Sequence, residues 1–336
     1  MIKKRVFSQS NNFHTFIINN LTKKNKNMSI AIIFNKRNSK PWEKELGKLL
    51  PNELIEVYPN IKNKEDVEFA ICWKPEKNVL KEFPNLKVIQ SVGAAVDHIT
   101  ETQEIDDNII ISKIVDTYLT NDMFEYTLTA VMAFIKDVNY YSINKCKKDW
   151  KPKYYKRIND TKICILGLGE IGSYVGKRLA EIGFNINGWS KSKKDIKGIN
   201  SFNGKDNLYN AIENCDILVN ILPVTEETKD ILDYNLLSKL NEGGFLINIG
   251  RGEHLVEKDL LKLIDEEHLY GASLDVFRNE PLDTNDKLWD YPTITITPHI
   301  AGITHVESAS KTISENYIRM QKGKDILYKV SLTKGY

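Results

Sequence analysis

The sequence lacks any hydrophobic run long enough to cross a lipid bilayer. A membrane-spanning helix needs about 20 predominantly apolar residues, whereas the longest useful run, from Leu128 to Ile135, is short and interrupted by Thr129. Charge of one sign is also lacking, because the formal net charge is only +2 over 336 residues. Composition therefore indicates neither a nucleic-acid partner nor a membrane partner, and we expect a cytoplasmic protein.

Cysteine is scarce, and no Cys-x-x-Cys pair occurs. Because Cys72 and Cys164 lie in apolar runs, we expect them to be buried, reduced thiols. The four cysteines are Cys72, Cys146, Cys164 and Cys215. Several histidines also lack the spacing of metal ligands, so we expect no metal site. These histidines are His98, His254, His268 and His305.

Acidic residues are missing from positions 1–27, which carry six Lys and Arg residues. Met28 then directly precedes the first apolar strand pattern. A disordered tail, translation starting at Met28 and an organelle-targeting segment are all compatible with this composition. We favour a dispensable, disordered extension over residues 1–28; a targeting segment would instead imply import into an organelle.

Short apolar strand patterns alternate with amphipathic helix patterns from residue 29 onward, which predicts parallel α/β sheets. Hydrophobic residues make up 41% and charged residues 27% of the chain, as in soluble globular proteins, and the length suggests about two domains. The first unit resembles a small flavodoxin-like domain. Its predicted elements are a helix over 42–50 and strands over 30–34, 54–58, 67–73, 86–91 and 109–112.

A long helix is predicted next, beginning near Thr120 or Asn121 as its cap. Apolar residues recur along it at helical spacing, including Phe124, Leu128 and Ile135. This helix is a plausible bridge between domains. Its apolar face could pair two subunits, or it could equally be internal.

Six strand patterns with intervening helices follow, which is typical of a doubly wound dinucleotide-binding sheet. A final helix over 307–321 is expected to return to the first domain. We therefore predict a Rossmann domain over 122–299 inserted into a substrate-binding domain of 29–121 plus 300–336, with the ligand site in the cleft between them. The strands are predicted at 162–166, 184–189, 216–222, 245–249, 270–276 and 294–297, with helices at 171–182 and 256–267.

A GxGxxG motif follows the first of these strands and opens a helix, which is the context that dinucleotide binding requires. Gly167 permits the tight turn, Gly169 allows a pyrophosphate to approach the backbone, and Gly172 allows close packing of helix and sheet. The helix start, including Glu170 and Ile171, offers N–H groups and partial positive charge to phosphates. We expect a bound dinucleotide here.

The end of the next strand indicates which dinucleotide binds. NAD-specific domains place Asp or Glu there for the adenosine ribose, but this chain has Ser190-Lys191-Ser192-Lys193-Lys194. Hydroxyls and lysines can receive a 2′-phosphate, so we predict NADP in preference to NAD. The alternative is a solvated basic loop.

Three further segments lie at predicted strand ends, where ligands bind in open α/β folds: residues 248–252 with Arg251, 274–282 with Glu280, and 297–301 with His299. Together they resemble the D-isomer-specific 2-hydroxyacid dehydrogenases, and among them the glyoxylate/hydroxypyruvate reductases of the A type. The resemblance covers nearly the whole chain from Met28. Segments 72–75, 93–97, 220–223, 227–228 and 335–336 support it.

The resemblance implies that Arg251, Glu280 and His299 carry the family's catalytic Arg, Glu and His. Hydride transfer to a ketone leaves an alkoxide, so a proton donor is needed, and a histidine can serve because this residue type titrates near the operating pH. Glu280 would stabilise the charged imidazole and orient it, and Arg251 would hold the substrate carboxylate in its planar fork. A surface ion pair, a turn residue and a loop histidine are the respective structural alternatives.

The resemblance also assigns substrate and cofactor contacts. Backbone N–H groups of Gly93, Ala94 and Ala95 would bind the substrate carboxylate, although the family usually has Gly at the third position. Trp73 would line a small substrate pocket or pack in the core. Asp275 would orient the nicotinamide carboxamide or act as a structural cap. Further cofactor contacts are assigned to Leu222, Pro223, Thr228, Ile249, Gly250 and Gly302.

Other functions on this fold remain open. Phosphoglycerate, formate and D-lactate dehydrogenases belong to the same family, and related corepressors sense dinucleotides without catalysis. The short segment after His299 argues against an added regulatory domain, and the basic loop after Ser190 argues against an NAD-dependent formate enzyme. Since family members pair through the cofactor domain, we expect a homodimer acting on a small 2-keto acid.

Overall fold

The structure, a computed structural model, describes residues 28–331. Residues 1–27 of the extension predicted over 1–28, and the terminal Gly335-Tyr336 segment, lie outside the described residues. Within these limits the chain divides into two compact units. The first comprises 28–113 and 310–329, and the second comprises 114–309 and 330–331. The sequence patterns placed these transitions at 121/122 and 299/300.

The first unit contains a five-stranded parallel sheet. Its strands are β1 (Ser29–Phe34), β2 (Leu54–Val57), β3 (Val67–Trp73), β4 (Val88–Ser91) and β5 (Ile110–Ser112), in the order β2-β1-β3-β4-β5. The central strand β3 reads as a continuous buried run, as expected when helices cover both faces of a parallel sheet.

The second unit contains a seven-stranded parallel sheet in the order β12-β11-β10-β9-β6-β7-β8. The order reverses beside β6, where the chain enters the sheet, so the sheet is doubly wound. The α/β fold class predicted from the sequence is confirmed. The strands are β6 (Lys162–Leu166), β7 (Asn185–Ser190), β8 (Ile199–Asn203), β9 (Ile217–Asn220), β10 (Gly244–Asn248), β11 (Leu269–Leu274) and β12 (Ile294–Ile296).

One strand of this sheet was missed by the sequence analysis. The edge strand β8 has the sequence INSFN, and only Ile199 in it is buried. Two asparagines and a single buried side chain give no apolar alternation, so the pattern that predicts a strand is absent. Pairing with β7 nevertheless satisfies the backbone.

Nine α-helices are described within residues 28–331, and none is long and apolar enough to cross a membrane. They are α1 (Lys40–Leu49), α2 (Asp97–Thr100), α3 (Thr117–Ile135), α4 (Val138–Lys147), α5 (Glu170–Ile182), α6 (Leu208–Ile212), α7 (Tyr234–Leu237), α8 (Glu257–Asp265) and α9 (Val306–Gln321).

The predicted start of α3 was wrong by about one turn. The cap is Asp116, whose extended backbone (φ −138°, ψ 135°) and side chain allow it to accept a hydrogen bond from the N–H of Tyr118 at 2.9 Å. The sequence pattern predicted the cap at Thr120 or Asn121, which are already inside the helix. The following helix α4 was also missed, because its only strongly apolar residues are Val138 and Ile143.

The apolar face of α3 is internal to the second unit. Phe124 and Ile135 are buried and share a core cluster with Val175 and Leu179 of α5. This face is therefore not an exposed surface for pairing subunits. Two of the most exposed aromatic side chains lie just after α4, where Trp150 is 97% exposed and Tyr154 is fully exposed.

The predicted burial of two cysteines is confirmed. Cys72 in β3 and Cys164 in β6 have no exposed surface, and all four cysteines are free thiols. Burial raises the pKa of the Cys72 thiol well above its ordinary value. Both thiols therefore behave as small apolar core groups.

The last segment of the first unit is joined to its sheet by buried hydrogen bonds. The side chain of Asn316 in α9 donates to Gln90 Oε1 of β4 at 2.8 Å and to Ser112 Oγ of β5 at 3.1 Å. Its own oxygen accepts the N–H of Leu327 at 2.8 Å. Because every partner is buried or nearly so, these bonds fix α9 against β4 and β5.

Candidate active site

The glycine-rich turn after β6 is shaped by close backbone contacts. Gly167 has a φ of 106°, and a side chain there would lie 2.8 Å from the carbonyl oxygen of Ile221. A Cβ on Gly172 would lie 1.9 Å from the carbonyl oxygen of Gly167. Only glycine fits either position, so α5 can start directly against the end of β6.

The start of α5 offers an open anion site. Gly169 is the N-cap, and a Cβ there would meet nothing within 4 Å. Among the described residues, no side chain caps the first turn of this helix. Glu170 and Ile171 follow in that turn. Uncapped N–H groups and open space fit the pyrophosphate of a dinucleotide.

The loop after β7 is basic, but part of its charge is already paired. Ser190 is buried and donates its hydroxyl proton to the carbonyl of Ser192 at 2.7 Å. Lys191 pairs with Glu227 at 2.7 Å, and both side chains are about two-thirds exposed. The hydrogen bond from Lys191 holds the pKa of Glu227 below its ordinary value. Ser192 and Lys193 are exposed, so the loop can receive an anionic group.

The loops after β10 and β11 are in direct backbone contact. A Cβ on Gly252 would lie 2.0 Å from the carbonyl carbon of Phe277. This contact brings the segment that carries Arg251 against the segment that leads to Glu280. Arg251 is partly buried and donates from Nη1 to the carbonyl of Gly250 at 2.7 Å.

Glu280 and His299 form a close pair. Nδ1 of His299 lies 3.0 and 2.9 Å from the two carboxylate oxygens of Glu280. The side chain of His299 is 37% exposed and that of Glu280 is 24% exposed, so a ligand can reach them. Within residues 28–331 no group hydrogen-bonds to Nε2 of His299. A proton at Nδ1 bonded to the carboxylate leaves Nε2 available to a substrate.

Asp275 is buried behind this pair, with only 1% of its surface exposed. Its carboxylate accepts hydrogen bonds from the Thr297 hydroxyl at 2.6 Å and from the N–H groups of Ile300 and Ala301, each at 2.8 Å. Its carbonyl accepts the N–H of His299 at 2.9 Å. These contacts favour the cap interpretation over a carboxylate directed at nicotinamide.

The loop held by Asp275 carries backbone strain. His299 has a φ of 55°, in the left-handed region that only a few per cent of residues other than glycine adopt, with Asn, Asp and His enriched among them. Such conformations persist where the surroundings over-determine them and cluster at functional sites. The hydrogen bonds to Asp275 supply that constraint.

A tyrosine supports the same loop and was missed by the sequence analysis. The hydroxyl of Tyr126 in α3 lies 2.7 Å from the hydroxyl of Thr297 and 3.1 Å from that of Ser273. Burial raises the pKa of Tyr126. No motif marks this residue, because its partners are 147 and 171 positions away.

Several predicted cofactor contacts are internal in this structure. Leu222 and Ile249 are buried in core clusters of the second unit. The hydroxyl of Thr228 donates to the carbonyl of Pro223 at 2.8 Å. These side chains shape the strand-end loops, so any contact that they make with a cofactor would come from their backbone or from their edges.

Two predicted glycines serve close packing within the second unit. A Cβ on Gly302 would lie 2.8 Å from side-chain atoms of both Leu119 and Met123 in α3. A Cβ on Gly250 would lie 2.8 Å from Nδ2 of Asn220. Both glycines therefore allow the strand-end loops to lie close to their neighbours.

The predicted carboxylate-binding turn lies after β4 in the first unit. The hydroxyl of Ser91 accepts the N–H of Gly93 at 3.1 Å and donates to the carbonyl of Ala95 at 2.8 Å. The N–H of Gly93 is thus already used within the turn. Among the described residues, no acceptor takes the N–H groups of Ala94 and Ala95, so these two can serve a ligand.

Trp73 lies at the end of β3 and adjoins this turn. A Cβ on Gly93 would lie 3.3 Å from Cζ3 of Trp73. The guanidinium carbon of Arg37 lies 4.6 Å from the Trp73 ring centre, a cation–π contact, and the His98 ring centre lies at 4.8 Å. Burial lowers the pKa of Arg37. The Arg37 guanidinium and the His98 ring therefore flank the indole, which is itself only half-buried.

No cluster of His, Cys, Asp and Glu within residues 28–331 is arranged to hold a metal ion. What the second unit presents is a doubly wound parallel sheet whose open helix start fits a dinucleotide phosphate and whose strand ends bring His299, Glu280 and Arg251 onto adjoining loops. That combination defines a dinucleotide-dependent dehydrogenase.

Comparison with known proteins narrows this class. Residues 128–301 match the family model described as "D-isomer specific 2-hydroxyacid dehydrogenase, NAD binding domain". The chain is 32% identical over 303 residues to glyoxylate/hydroxypyruvate reductase A of Yersinia enterocolitica, covering 89% of this chain and 96% of that protein. The chain belongs to the family of D-isomer specific 2-hydroxyacid dehydrogenases, as the sequence motifs predicted.

Solved structures agree with this assignment. A D-isomer specific 2-hydroxyacid dehydrogenase of Xanthobacter autotrophicus, in complex with NADPH and MES, matches with a TM-score of 0.88 and 27% identity, covering 92% of this chain and 100% of that chain. The NADPH-dependent glyoxylate/hydroxypyruvate reductase of Sinorhizobium meliloti, in complex with NADP and sulfate, matches with a TM-score of 0.86 and 28% identity over the same shares.

Proposed function

We propose that this protein reduces small 2-keto acids, such as glyoxylate and hydroxypyruvate, to 2-hydroxy acids with NADPH. The single observation that carries the proposal is the His299–Glu280 pair, in which Nδ1 of the left-handed residue His299 lies 3.0 and 2.9 Å from the two carboxylate oxygens of Glu280. The names and bound ligands of the relatives in Yersinia enterocolitica and Sinorhizobium meliloti support the substrate class and the cofactor.

The chemistry follows from the positions of three side chains. The nicotinamide supplies a hydride to the ketone carbon when it is bound. His299 donates the proton that the resulting alkoxide requires, from Nε2, while Glu280 compensates the charge of the imidazolium at Nδ1. Arg251 holds the substrate carboxylate, for which its planar donor fork is suited.

The residues that would hold NADPH lie at two strand ends. The uncapped turn at Gly169 would take the pyrophosphate. Ser192, Lys191 and Lys193 would take the 2′-phosphate, since charged donors bind phosphate well and no carboxylate stands in this segment to favour a free ribose hydroxyl. Lys191 would release Glu227 and bind the phosphate in its place.

In the first unit, Ala94 and Ala95 would donate their N–H groups to the substrate carboxylate. The Trp73 indole would limit the size of the substrate, because it adjoins Gly93. A bulky indole beside the turn would exclude large substituents, which favours two- and three-carbon acids over bulky ones.

A cytoplasmic homodimer is the proposed state of the protein. Trp150 is 97% exposed, Tyr154 is fully exposed and Tyr155 is 60% exposed, all within one short segment. Large apolar groups clustered on a surface mark an interaction site, and a second copy is the proposed occupant. Trp150→Ser should shift the mass measured by light scattering from dimer toward monomer, and an unchanged mass would argue against this surface.

The proposal is tested by NADPH oxidation with purified full-length protein and a panel of 2-keto acids. Glyoxylate and hydroxypyruvate should be reduced best, and pyruvate poorly. Preferential reduction of phosphohydroxypyruvate would instead indicate an enzyme of the phosphoglycerate dehydrogenase type. His299→Ala should lower turnover by about 10²–10⁴. Tight dinucleotide binding without turnover of any keto acid would instead support a dinucleotide sensor.

A further inference from the structure

A second histidine is built into the same strand-end loops. His254 is completely buried and ends the short turn Gly252–His254, which follows Arg251 directly. Its Nδ1 lies 3.2 Å from the backbone nitrogen of Arg251 and 2.9 Å from Nδ2 of Asn220. Its Nε2 lies 3.1 Å from the carbonyl oxygen of Pro223. The imidazole therefore connects the loop after β10 with the loop after β9.

Two buried asparagines extend this connection, and backbone groups determine how their amides are oriented. The N–H of Leu222 needs the oxygen of Asn220 as its acceptor, at 3.3 Å, and the N–H of Gly250 needs the oxygen of Asn248, at 3.3 Å. Nδ2 of Asn220 then donates to Asn248 Oδ1 at 2.9 Å. Nδ2 of Asn248 donates to the carbonyl of Arg251 at 3.1 Å.

This network determines the protonation of His254. A backbone N–H can only donate, so Nδ1 must accept from Arg251, and the proton of a neutral ring must lie on Nε2, where it donates to Pro223. A proton on Nδ1 would face two donors. The site thus holds two histidines with opposite tasks: His299 carries a proton to be given away, and His254 stays neutral as a fixed connector.

We propose that His254 is a positioning residue that couples the substrate anchor Arg251 to the cofactor loop at Pro223. This inference rests on the proposed function, because Arg251 acts on the substrate and Pro223 on the cofactor only in that reaction. Each ring nitrogen serves one side: Nδ1 fixes the backbone of Arg251, and Nε2 fixes the carbonyl of Pro223.

Two amide substitutions separate the two sides. In His254→Asn, the amide oxygen takes the place of Nδ1, so the bond to Arg251 is kept and the bond to Pro223 is lost. In His254→Gln, the amide nitrogen takes the place of Nε2, so the bond to Pro223 is kept and the bond to Arg251 is lost. We expect His254→Gln to raise the KM of the keto acid about tenfold, the cost of leaving the N–H of Arg251 without its acceptor. We expect His254→Asn to raise the Kd of NADPH by a smaller factor, because the carbonyl of Pro223 keeps the hydrogen bond from Thr228.

A merely structural histidine would give a different result, because both variants would then lose melting temperature and raise both constants in parallel. That parallel loss, or normal constants in both variants, would overturn the proposal. His268→Asn is the matched control. His268 is a partly buried histidine of the same unit that directly precedes β11, whereas the candidate active site lies after the end of that strand. A wild-type protein without turnover would count against the proposed function and leave the NADPH arm to be measured by binding alone.

If both variants fail to fold, the wild-type protein still tests the idea. Nitrogen NMR of histidine-labelled protein at neutral pH should show one ring in the neutral form with its proton on Nε2, protected from exchange with solvent. Assignment follows from the contact of that ring with the amide proton of Arg251, whose nitrogen lies 3.2 Å from Nδ1 of His254. A ring protonated on Nδ1 at this position would overturn the proposal.

Discussion

Asp275 holds His299 in place through the backbone on both sides of it. The N–H of His299 donates to the carbonyl of Asp275 at 2.9 Å, and the next two N–H groups, of Ile300 and Ala301, donate to its carboxylate at 2.8 Å. The left-handed φ of His299 depends on these bonds. Asp275 thus acts on the proton donor without touching its ring.

Asp275→Asn should therefore damage both stability and turnover. An amide offers one acceptor where the carboxylate serves three donors, so at least one buried N–H loses its partner, at a cost of about 1–3 kcal/mol. We expect a lower melting temperature and a turnover reduced by at least about tenfold, since a small displacement of a reacting group is costly. Thermal unfolding and steady-state kinetics check the two effects.

The control for this variant is Asp116→Ala. Asp116 caps α3, and losing an N-cap costs about 0.5–2 kcal/mol, while the hydrogen bonds between Asp275 and the His299 loop stay in place. Equal loss of turnover in the two variants would show that Asp275 acts only through overall stability.

Gly252→Ala should uncouple Arg251 from Glu280. The added Cβ would lie 2.0 Å from the backbone of Phe277, so the two loops must separate. A shift of about 1 Å in such a group can cost about 100-fold in rate, and we expect a loss of that order in kcat/KM. Gly47→Ala is the matched control. Gly47 lies within α1 with open space around it, so alanine there should stabilise the helix by about 0.5–1 kcal/mol and leave activity unchanged.

The cofactor preference should respond to two changes in the basic loop. Ser190→Asp places a carboxylate at the end of β7, where it repels a 2′-phosphate and accepts hydrogen bonds from a ribose, so kcat/KM should shift from NADPH toward NADH.

Glu227→Gln removes the anion that pairs with Lys191 at 2.7 Å. We expect it to lower the KM for NADPH severalfold and to leave the KM for NADH unchanged. A wild-type preference for NADH would contradict both expectations.

The stability of the second unit should depend on Asp216 at low pH. Burial alone would raise the pKa of Asp216, but hydrogen bonds from Lys156, the backbone of Lys162 and Asn241 outweigh it and hold the pKa below its ordinary value. A lowered folded-state pKa contributes stability that is present above the unfolded value, about 3.9, and is lost as the pH falls through the folded value. Asp216→Asn should reduce the fall in unfolding free energy below about pH 4.

Denaturant titrations at several pH values measure this slope. Asp325→Asn serves as the control. The pKa of Asp325 is also lowered, by a hydrogen bond from Lys329, but the side chain is 92% exposed. Exposed ion pairs contribute little, so this variant should keep the wild-type pH dependence. If the unfolding free energies of Asp216→Asn and the wild type depend on pH in the same way, Asp216 does not contribute to the loss of stability at low pH.

Patterns in the sequence were sufficient for every strand described except β8, and for the glycine-rich turn, because each of these depends on neighbouring residues. Strand β3 has a continuous apolar run, and the three glycines from Gly167 to Gly172 follow a strand and open a helix. The start of α3 was misplaced because Asp116 and Thr120 are both acceptable caps by residue type, and only the backbone dihedrals distinguish them.

The supporting residues of the site could not be predicted, because their partners are distant in the sequence. Tyr126 in α3 meets Thr297, which follows β12. His254 belongs to no motif and lacks the spacing of a metal ligand, so nothing in the sequence indicates a role for it. Its role depends on meeting Asn220, 34 positions earlier. Ser91 likewise takes the N–H of Gly93, which no motif indicates. Hydrogen-bond networks of this kind exist only once the loops have been brought together.

The buried bonds of Asn316 have a consequence for how the chain matures during translation. They join Asn316 to Gln90 and Ser112, 226 and 204 positions earlier, and the whole second unit is synthesised in between. The second unit can close as soon as its own continuous stretch has left the ribosome, whereas the five-stranded sheet of the first unit must wait for α9 to cover it. Exposure of β4 and β5 during that interval makes the first unit the part most in need of a chaperone.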